Sequence, residues 1–371
     1  MSPPASTMPP RRPLVWVAQG YWVDPIFQGI AKYAAEQGWV LDASMRWLRG
    51  PVRPPMHKPD GVIVFTGDVP GLEEIVRTLK APTVDIEDYS DRYGAPKVLG
   101  DDRAIGRLAA RHLASGMPTR LVFLTPSKAS PVAQARMAGF RAEAAEAGIP
   151  VEGVTLAELD PRALVADGPV ALFAGGDPAA MEVLRRCLDA GVRVPEDLSI
   201  LGADDTPYVC DLAPVPLSSI AMNFEEKGRL AAELLGRLMR GEKAPAKPVI
   251  VPPAGITVRT STAILRTGNE TLDRLLRHLR ENAHRHVGLD TLCAECGLPL
   301  RTAQHLVKVH LNSTPGDELT RFRLLNAERL AHDPRLTRDA IARAAGFGGR
   351  AALMRAQKAA DCARPAPRSH A

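Results

Sequence analysis

Four side chains of types that bind zinc lie close together in the last third of the chain: Cys293, Cys296, His305 and His310. Only eight residues separate Cys296 from His305, whereas a zinc finger made of a hairpin and a helix needs about twelve. The two cysteines are one helical turn apart, as small apolar residues on the buried side of a helix would be. The spacing therefore favours a structural role for the cysteines over a metal site.

The same segment contains side chains that could read DNA. Residues 289–315 predict a helix, a tight turn at Gly297 and a second, polar helix, which together form a helix–turn–helix. Glutamine can bond an adenine edge, and arginine or lysine can bond guanine or phosphate. Such side chains occupy the first turns of the second helix: Arg301, Gln304, His305 and Lys308. The alternative interpretation is an ordinary solvated helix face.

A weaker copy of this pattern follows at residues 337–360, with its glycine turn at Gly346. Residues 318–331 predict a long helix between the two copies, which would act as a spacer. A second reading surface could be formed by Arg350, Met354, Arg355 and Lys358. The second helix of a helix–turn–helix enters the major groove, so the expected partner is double-stranded DNA.

Motifs for catalysis or cofactor binding were not found. The glycine-rich stretches AGGD (174–177) and GFGG (346–349) lack the strand and helix offsets of a dinucleotide site. Ser127 and Ser130 lack the turn that exposes a nucleophilic serine. We therefore expect neither an enzyme nor a cofactor.

Charge is distributed unevenly over the 371 residues. Residues 263–371 carry 18 Lys and Arg against 11 Asp and Glu, while the rest of the chain carries 29 against 31. A basic segment after a mildly acidic body indicates a polyanionic partner, although a solvated basic helix face would look the same. Five cysteines are too few and too scattered for a disulfide framework. The apolar runs are too short for a membrane span or a signal peptide, so we expect a cytoplasmic protein with no membrane partner.

In the body of the chain, short apolar runs alternate with segments that have the apolar spacing of a helix. The predicted strands are LVWVA (14–18), GVIVF (61–65), TVDIE (83–87), LVFL (121–124), ALFA (171–174) and LSILGA (198–203). This alternation predicts parallel, doubly wound sheets, which bind ligands at the carboxyl ends of their strands. The segments to search are therefore 19–24, 66–68, 85–91, 125–136, 175–178 and 204–208.

The pattern also divides the chain. Residues 1–12 are proline-rich and predict a disordered arm. Residues 13–262 contain the alternating strands and helices of a two-lobed α/β domain. Residues 263–268 predict a linker, and residues 269–371 contain only amphipathic helices. The expected fold class is thus an α/β domain followed by an all-α domain.

Residues 270–368 resemble the AraC-type DNA-binding domain, in which a long helix joins two helix–turn–helix units. The matching positions are Leu292, Gly297, Arg301, Thr302 and Pro315 in the first unit, Arg323, Leu324 and Ala327 in the linker helix, and Ile341, Ala342, Gly346, Phe347, Arg355, Lys358 and Pro365 in the second. The resemblance implies that Thr302 joins Arg301 among the DNA-binding residues.

Four positions depart from that family's pattern. Val307 and Gln357 stand where the family usually has phenylalanine, and Asn312 and Cys362 stand where it has glycine. A glutamine in a core position costs ~1–3 kcal/mol unless it finds hydrogen-bond partners. We therefore expect the second unit to have a weakened core and to contribute mainly phosphate contacts.

The body resembles the sugar-sensing domain of lac-repressor-type regulators. The segments that carry this resemblance include RPLVWVAQGYWVDPIFQGIAKYAAEQGW, DDRAIGRLAARHLASGM, ARMAGF, ALFAGGDPAAM and RVPEDLSILGADDTP. Such domains are periplasmic-binding-protein-like, with two hinged lobes and the ligand in the cleft. A sensor of this kind placed before an AraC-type domain is the arrangement of the xylose-operon activator family.

The resemblance implies an effector site. Arg136 in ARMAGF matches the family's donor to sugar hydroxyls, and Asp204 matches an acceptor. Asp177 lies where related sensors have Asn-Asp, with Gly176 in place of the asparagine. An aromatic face and a further carboxylate would come from the first lobe: Tyr21, Trp22 and Asp24. The alternative is that Arg136 and Asp204 form a structural ion pair.

The resemblance further implies a ligand-responsive DNA-binding transcription regulator that senses xylose or a related sugar and forms a homodimer through its body. An alternative is a cytoplasmic sugar-binding protein whose helix–turn–helix segment has lost specific DNA binding. The departure at Gln357 and the polar segment at residues 361–371 favour that alternative.

Overall fold

The computed structural model describes residues 11–47, 51–65, 69–87, 93–126, 130–263, 269–331 and 336–363. Its contacts divide the chain into two compact units, residues 1–262 and 263–371. Most of the predicted arm and linker lie outside the described residues, as do residues 66–68, 88–91 and 127–129 of the predicted ligand-binding segments. Within the arm, Arg11 forms an exposed ion pair with Asp60 at 3.2 Å.

The first lobe of the first unit is built on a parallel sheet. Its strands are β1 (Leu14–Gln19), β2 (Val40–Asp42), β3 (Gly61–Phe65), β4 (Thr83–Asp85), β5 (Val98–Gly100) and β11 (Val249–Val251). The order is β2-β1-β3-β4, and a single bridge between Asp85 and Lys97 continues it to the β5-β11 pair. Helices α1 (Asp24–Glu36), α2 (Leu72–Leu79) and α8 (Phe224–Met239) cover the sheet. Apolar residues on both faces bury it, as expected for parallel strands.

The second lobe contains a six-stranded sheet in the order β12-β10-β9-β8-β6-β7. The strands are β6 (Arg120–Thr125), β7 (Val151–Thr155), β8 (Val170–Phe173), β9 (Leu198–Ala203), β10 (Ser218–Ala221) and the antiparallel β12 (Gly255–Thr257). Its helices are α3 (Asp102–Ala114), α4 (Pro131–Glu146), α5 (Pro161–Leu164), α6 (Asp177–Ala190) and α7 (Pro207–Cys210). The chain crosses between the lobes after β5, β10 and β11, so three segments form the hinge. The predicted two-lobed α/β fold is confirmed.

Helices α3 and α4 cross with their backbones in contact. A Cβ atom at Gly106 would lie 1.9 Å from the backbone oxygen of Arg136, and one at Gly139 would lie 2.0 Å from that of Arg103. Neither space could hold even a methyl group. Only glycine at both positions allows α4 to carry Arg136 this close to the start of α3.

The first lobe contains a similar crossing of two helices at glycine residues. A Cβ atom at Gly29 of α1 would lie 1.9 Å from the backbone oxygen of Glu225, and one at Gly228 of α8 would lie 2.0 Å from that of Ile26. Each lobe therefore has one pair of helices packed backbone to backbone on its sheet.

The second unit is all helical within the described residues. It contains α9 (Glu270–Glu281), α10 (Leu289–Glu295), α11 (Leu300–Leu311), α12 (Pro315–Leu330), α13 (Arg338–Ala344) and α14 (Arg350–Ala363). The pairs α10–α11 and α13–α14 are each joined by a short turn that contains a glycine with positive φ, Gly297 and Gly346. Two apolar cores stabilise them, one around Leu292 and Val307 and one around Ile341 and Phe347. The predicted all-α class is confirmed.

The expectation about Gln357 is wrong. Its side chain is exposed on α14, and the core of the second pair is completed by Leu353 on the neighbouring face of that helix. Two other departures are accommodated locally. Val307 is fully buried in the first core, and Asn312 ends α11 with a φ of 50°, a left-handed conformation that asparagine tolerates. The side chain of Cys362 lies outside the described residues. One of the two observations that favoured a helical unit without DNA binding is thereby removed.

The described residues contain neither a membrane-spanning helix nor a cluster of metal ligands. Over the residues that the structure describes, no helix has the length and apolar character needed to cross a bilayer. In the same part of the chain, no group of three or more histidine, cysteine or acidic side chains could hold a metal. Cys293 is buried in the helical core, whereas His305 and His310 are exposed on α11.

The α3–α4 crossing generates a stability prediction. Gly106→Ala should destabilise the first unit by at least about 2 kcal/mol because the new methyl group meets backbone rather than a flexible side chain. The melting temperature of the full chain should fall by ~5 °C or more. The matched control is Gly116→Ala, where the new Cβ would be 3.4 Å from the backbone oxygen of Leu113. Equal melting temperatures for the two variants would contradict the crossing.

Candidate functional site

Arg136 is held at the carboxyl edge of the second sheet. Ser130 caps the first turn of α4 by accepting a hydrogen bond from the backbone nitrogen of Ala133 at 3.1 Å. One turn later, Arg136 Nε donates to Asp102 at 2.7 Å, and another guanidinium nitrogen donates to the backbone oxygen of Gly175 at 2.6 Å. The ion pair of Arg136 is thus with Asp102, and the alternative pairing with Asp204 is wrong.

Asp204 follows β9 in an uncommon conformation. Its φ is 103° and that of Asp205 is 50°, so two successive non-glycine residues have left-handed backbones. Burial and the negative charge of Asp177 raise the pKa of Asp204 to about 7, and Arg136 offsets part of that rise. Within the described part of the chain, we find no hydrogen bond to the Asp204 carboxylate. A polar group with these properties is suited to bind a hydroxyl that a ligand brings.

Gly176 adds space beside this carboxylate. A Cβ atom built on Gly176 would lie 3.9 Å from Asp204 Oδ2, so a side chain there would stand directly against the acid. Related sensors were expected to have asparagine at this position. Its replacement by glycine leaves room for a ligand group next to Asp204.

Asp177 is bonded by the protein itself. Its side chain is fully buried at the start of α6, and its two oxygens accept from the Ser219 hydroxyl at 2.5 Å and the Thr206 backbone nitrogen at 2.8 Å. A Cβ atom at Gly202 would lie 2.3 Å from the carboxylate, so that glycine makes room for it. Burial raises the pKa of Asp177, and these hydrogen bonds limit the rise. The bond from Thr206 ties the start of α6 to the turn at 204–206, and the effector-binding role of Asp177 stays a prediction.

The first lobe contributes an aromatic cluster at the end of β1. Trp22 Nε1 donates to Asp24 at 2.9 Å, and the Trp22 ring lies 5.0 Å from that of Phe27. Asp24 also accepts from Arg46. Tyr21 is two-thirds exposed beside them. The predicted Trp22 and Asp24 are therefore brought together, in a partly exposed group of aromatic and charged side chains.

Two members of this cluster were missed in the sequence. The Arg46 guanidinium lies 5.4 Å from the centre of the Trp22 ring and 5.3 Å from that of Trp47. Both residues belong to a short 3₁₀ turn, Ser44–Trp47, directly after β2. The signal that could have located them is the carboxyl end of β2, a three-residue strand too short to recognise by pattern.

In the helical unit, α11 and α14 expose the predicted DNA-binding side chains. On α11 the exposed set is Arg301, Thr302, Gln304, His305 and Lys308, and on α14 it is Arg350, Arg355 and Lys358. Ala303 and Val307 lie on the opposite, buried side of α11. Each helix therefore has one face in its core and a polar, mostly basic face free to contact a partner.

The two helix pairs are tied to each other near Gly346. A Cβ atom there would lie 2.1 Å from the backbone oxygen of Ala283, so the turn before α14 packs directly against the end of α9. Arg323 of α12 donates to the backbone oxygens of Ala283 at 2.9 Å and Arg285 at 3.1 Å. His286 also contacts the backbone oxygen of Arg343 at 3.0 Å. These contacts set the spacing between α11 and α14.

The environment of Asp204 generates a pH prediction. Its pKa rises from 3.8 to about 7 on folding, so its contribution to stability is complete below about pH 4 and is lost as the pH rises through 7. The asparagine of Asp204→Asn cannot ionise, so this variant does not lose stability as the pH rises. The variant should melt ~5 °C or more above the unsubstituted chain at pH 8 and gain nothing at pH 4.

The exposed Asp167→Asn is the control for this comparison, since the Asp167 side chain is 86% exposed. It should leave both melting temperatures unchanged. An Asp204→Asn chain that is less stable than the unsubstituted chain at both pH values would show that the carboxylate is a structural hydrogen-bond partner.

Comparison with known proteins agrees with the two-lobed fold of the first unit. Residues 110–262 match the family model of the periplasmic binding protein-like domain. Among curated proteins, the HTH-type transcriptional regulator DegA of Bacillus subtilis is 29% identical over 57% of this chain and 66% of its own length. The xylose operon regulatory protein of Escherichia coli is 25% identical over 47% of this chain and 45% of its own length. These matches span two thirds or less of the relatives, which are named as regulators rather than enzymes.

Solved structures extend the similarity to both units. A structure of the xylose-binding transcription activator XylR superposes with a TM-score of 0.70 and 21% identity, covering 95% of this chain and 97% of that chain. A LacI family regulator from Enterococcus faecium with bound ribose has a TM-score of 0.52 and 22% identity, covering 68% of this chain. The chain thus combines a periplasmic-binding-protein-like domain with a helical unit, in a fold similar to that of a sugar-binding transcription activator.

Proposed function

We propose that this chain is a ligand-responsive, DNA-binding transcription regulator. Its first unit binds xylose or a related pentose, and its second unit is an AraC-type domain that binds double-stranded DNA. The protein works in the cytoplasm as a homodimer, so that two helical units bind paired half-sites. The observation that carries the proposal is the exposed polar face of α11, whose opposite face is buried in its own core.

The effector site supports the sugar part of the proposal. Asp204 offers a partly buried acceptor to which no protein donor bonds within the described residues, and the Arg136 guanidinium lies close enough to lower its pKa. Trp22 and Asp24 supply an aromatic face and a second acceptor from the other lobe. A pentose presents hydroxyls to such charged groups and a C–H face to such rings. The xylose and ribose named for the relatives and solved structures fit this chemistry.

Closure of the lobes around the sugar would link the two activities. The three hinge segments let the lobes move as rigid bodies about β5, β10 and β11. A sugar that bridges the lobes stabilises the closed form because it contacts both only in that form. The resulting change in the dimer alters the spacing of the helical units on DNA.

Sugar binding generates a thermal-shift prediction. D-xylose or D-ribose at saturating concentration should raise the melting temperature of the full chain, since the sugar binds only the folded state. Asp204→Asn replaces an acceptor oxygen by an amide donor and should weaken binding by ~1.5–3 kcal/mol, roughly tenfold or more in Kd. Asp167→Asn is again the control. An Asp204→Asn chain with full sugar affinity would move the site away from β9.

DNA reading generates a second prediction. Gln304→Ala should relax the preferred base at one position, a loss of ~1–3 kcal/mol there, while non-specific affinity changes little. Selection from randomised sites measures the preference, and Gln37→Ala, an exposed glutamine at the end of α1, serves as the matched control. An unchanged preference in the Gln304→Ala chain would show that α11 does not read bases at that position.

A further inference from the structure

The last segment of the first unit is anchored inside the second lobe. Ser261 is fully buried; its hydroxyl donates to the backbone oxygen of Ile200 at 2.6 Å and accepts from the backbone nitrogen of Ser218 at 2.8 Å. Thr262, which follows, is the final residue of the unit before the segment that leads to the helices. Any movement of this anchor therefore acts on the point where the chain leaves the sensor.

One chain of contacts leads from Asp205 to this anchor. Arg259 donates to Asp205 at 2.8 Å and to Asp211 at 2.6 Å. The backbone nitrogen of Arg259 donates to the Ser218 hydroxyl at 2.8 Å, and that hydroxyl also contacts Thr262 Oγ1 at 2.7 Å. The turn that holds the effector acceptor Asp204 is thus joined to Thr262 through two side chains.

A second chain leads from Arg136 to the same residue. Arg136 pairs with Asp102 at the start of α3. Near the end of that helix, His112 Nε2 contacts Thr262 Oγ1 at 2.7 Å. Burial lowers the pKa of His112, so the neutral imidazole is the form that makes this contact. A helix of this length is about 20 Å long and moves as a rigid rod.

The turn at Asp204 and Asp205 has a costly conformation that neighbouring side chains hold in place. Two successive residues with positive φ are costly, and such a turn persists only where its surroundings hold it. Here the holding contacts are the Ser219 hydroxyl, which accepts from the Asp205 nitrogen at 3.0 Å, and the Thr257 hydroxyl, which donates to Asp205 at 2.5 Å. A ligand that bonds Asp204 adds a new contact to this balance.

We propose that Thr262 is the junction at which the two ligand-binding residues, Arg136 and Asp204, act together on the exit of the sensor unit. The Thr262 hydroxyl contacts both His112 and Ser218. Through these contacts, the position of the segment that leaves the first unit depends on whether sugar is bound. This inference rests on the proposed function and adds to it the residue through which sugar binding changes DNA affinity.

The test measures coupling in the full chain. DNA affinity for the gene's own upstream sequence is measured with and without saturating D-xylose, and the ratio is the coupling factor. Thr262→Val removes the hydroxyl and should lower this factor about threefold to tenfold. Thr262→Ser keeps the hydroxyl and should retain it. Thr155→Val, which removes a hydroxyl bonded to Glu158 elsewhere in the unit, should also retain it. A Thr262→Val chain with unchanged coupling overturns the proposal.

A second measurement needs no sugar. In the ligand-free chain, Thr262→Val should make a peptide covering residues 203–207 take up deuterium about threefold faster or more, whereas Thr155→Val should not. If D-xylose leaves the DNA affinity of the unsubstituted chain unchanged, the proposed function fails for this sugar. The deuterium exchange then tests the role of Thr262 by itself. Unchanged uptake in the Thr262→Val chain overturns that role, and faster uptake supports it. Ser218→Ala breaks the junction from its other side and replaces Thr262→Val if that chain does not fold.

Discussion

Backbone contact between α3 and α4 is the constraint on which the second lobe depends. Gly106 and Gly139 let the two helices touch without side chains between them. As a result, Asp102 at the start of α3 reaches Arg136 on α4, and Arg136 reaches the backbone oxygen of Gly175 beyond β8. A larger residue at either glycine would separate the helices and break these short, directional bonds. The geometry of the candidate site is thus set by the packing of α3 against α4.

The same edge of the sheet places two carboxylates, the buried Asp177 and the partly buried Asp204, close enough to affect each other. Asp177 is stabilised by the Ser219 hydroxyl and the Thr206 backbone nitrogen. Asp204 lacks such donors in the described part of the chain, and its pKa rises to about 7. The negative charge of the well-bonded Asp177 therefore adds to the cost of ionising Asp204. This division of roles is common at binding sites, where stability is given up for a group that a ligand can satisfy.

How much of this could be predicted depends on the range of the interactions. The continuous apolar runs of β1, β3, β6, β8 and β9 predict buried parallel strands because the signal is local. Strands β2, β5 and β11 have only three residues each, so their pairing depends on the rest of the sheet. For the same reason Arg46 and Trp47, which follow β2, were not predicted.

The same difference between local signals and long-range contacts applies to the site residues. The structure has Arg136 in the helix after β6 and Asp204 directly after β9, as predicted, but the ion-pair partner of Arg136 was not predictable. Asp102 lies 34 positions before Arg136, and only the glycine crossing brings them together. The burial of Gln357 was predicted wrongly because a family's core position was carried over, whereas α14 turns that position to solvent and buries Leu353. Asp177 was placed correctly, but its bonds to the protein could only be seen in three dimensions.

The central claim is that one chain joins sugar binding to DNA binding. Fluorescence anisotropy of the full chain on its own upstream DNA, titrated at physiological salt over a range of D-xylose concentrations, tests it most directly. If sugar binding is coupled to DNA binding, D-xylose should change the DNA affinity by about fivefold or more, and the change should saturate. By linkage, bound DNA should change the affinity for the sugar by the same factor. A DNA affinity that stays constant while the sugar is bound would contradict it.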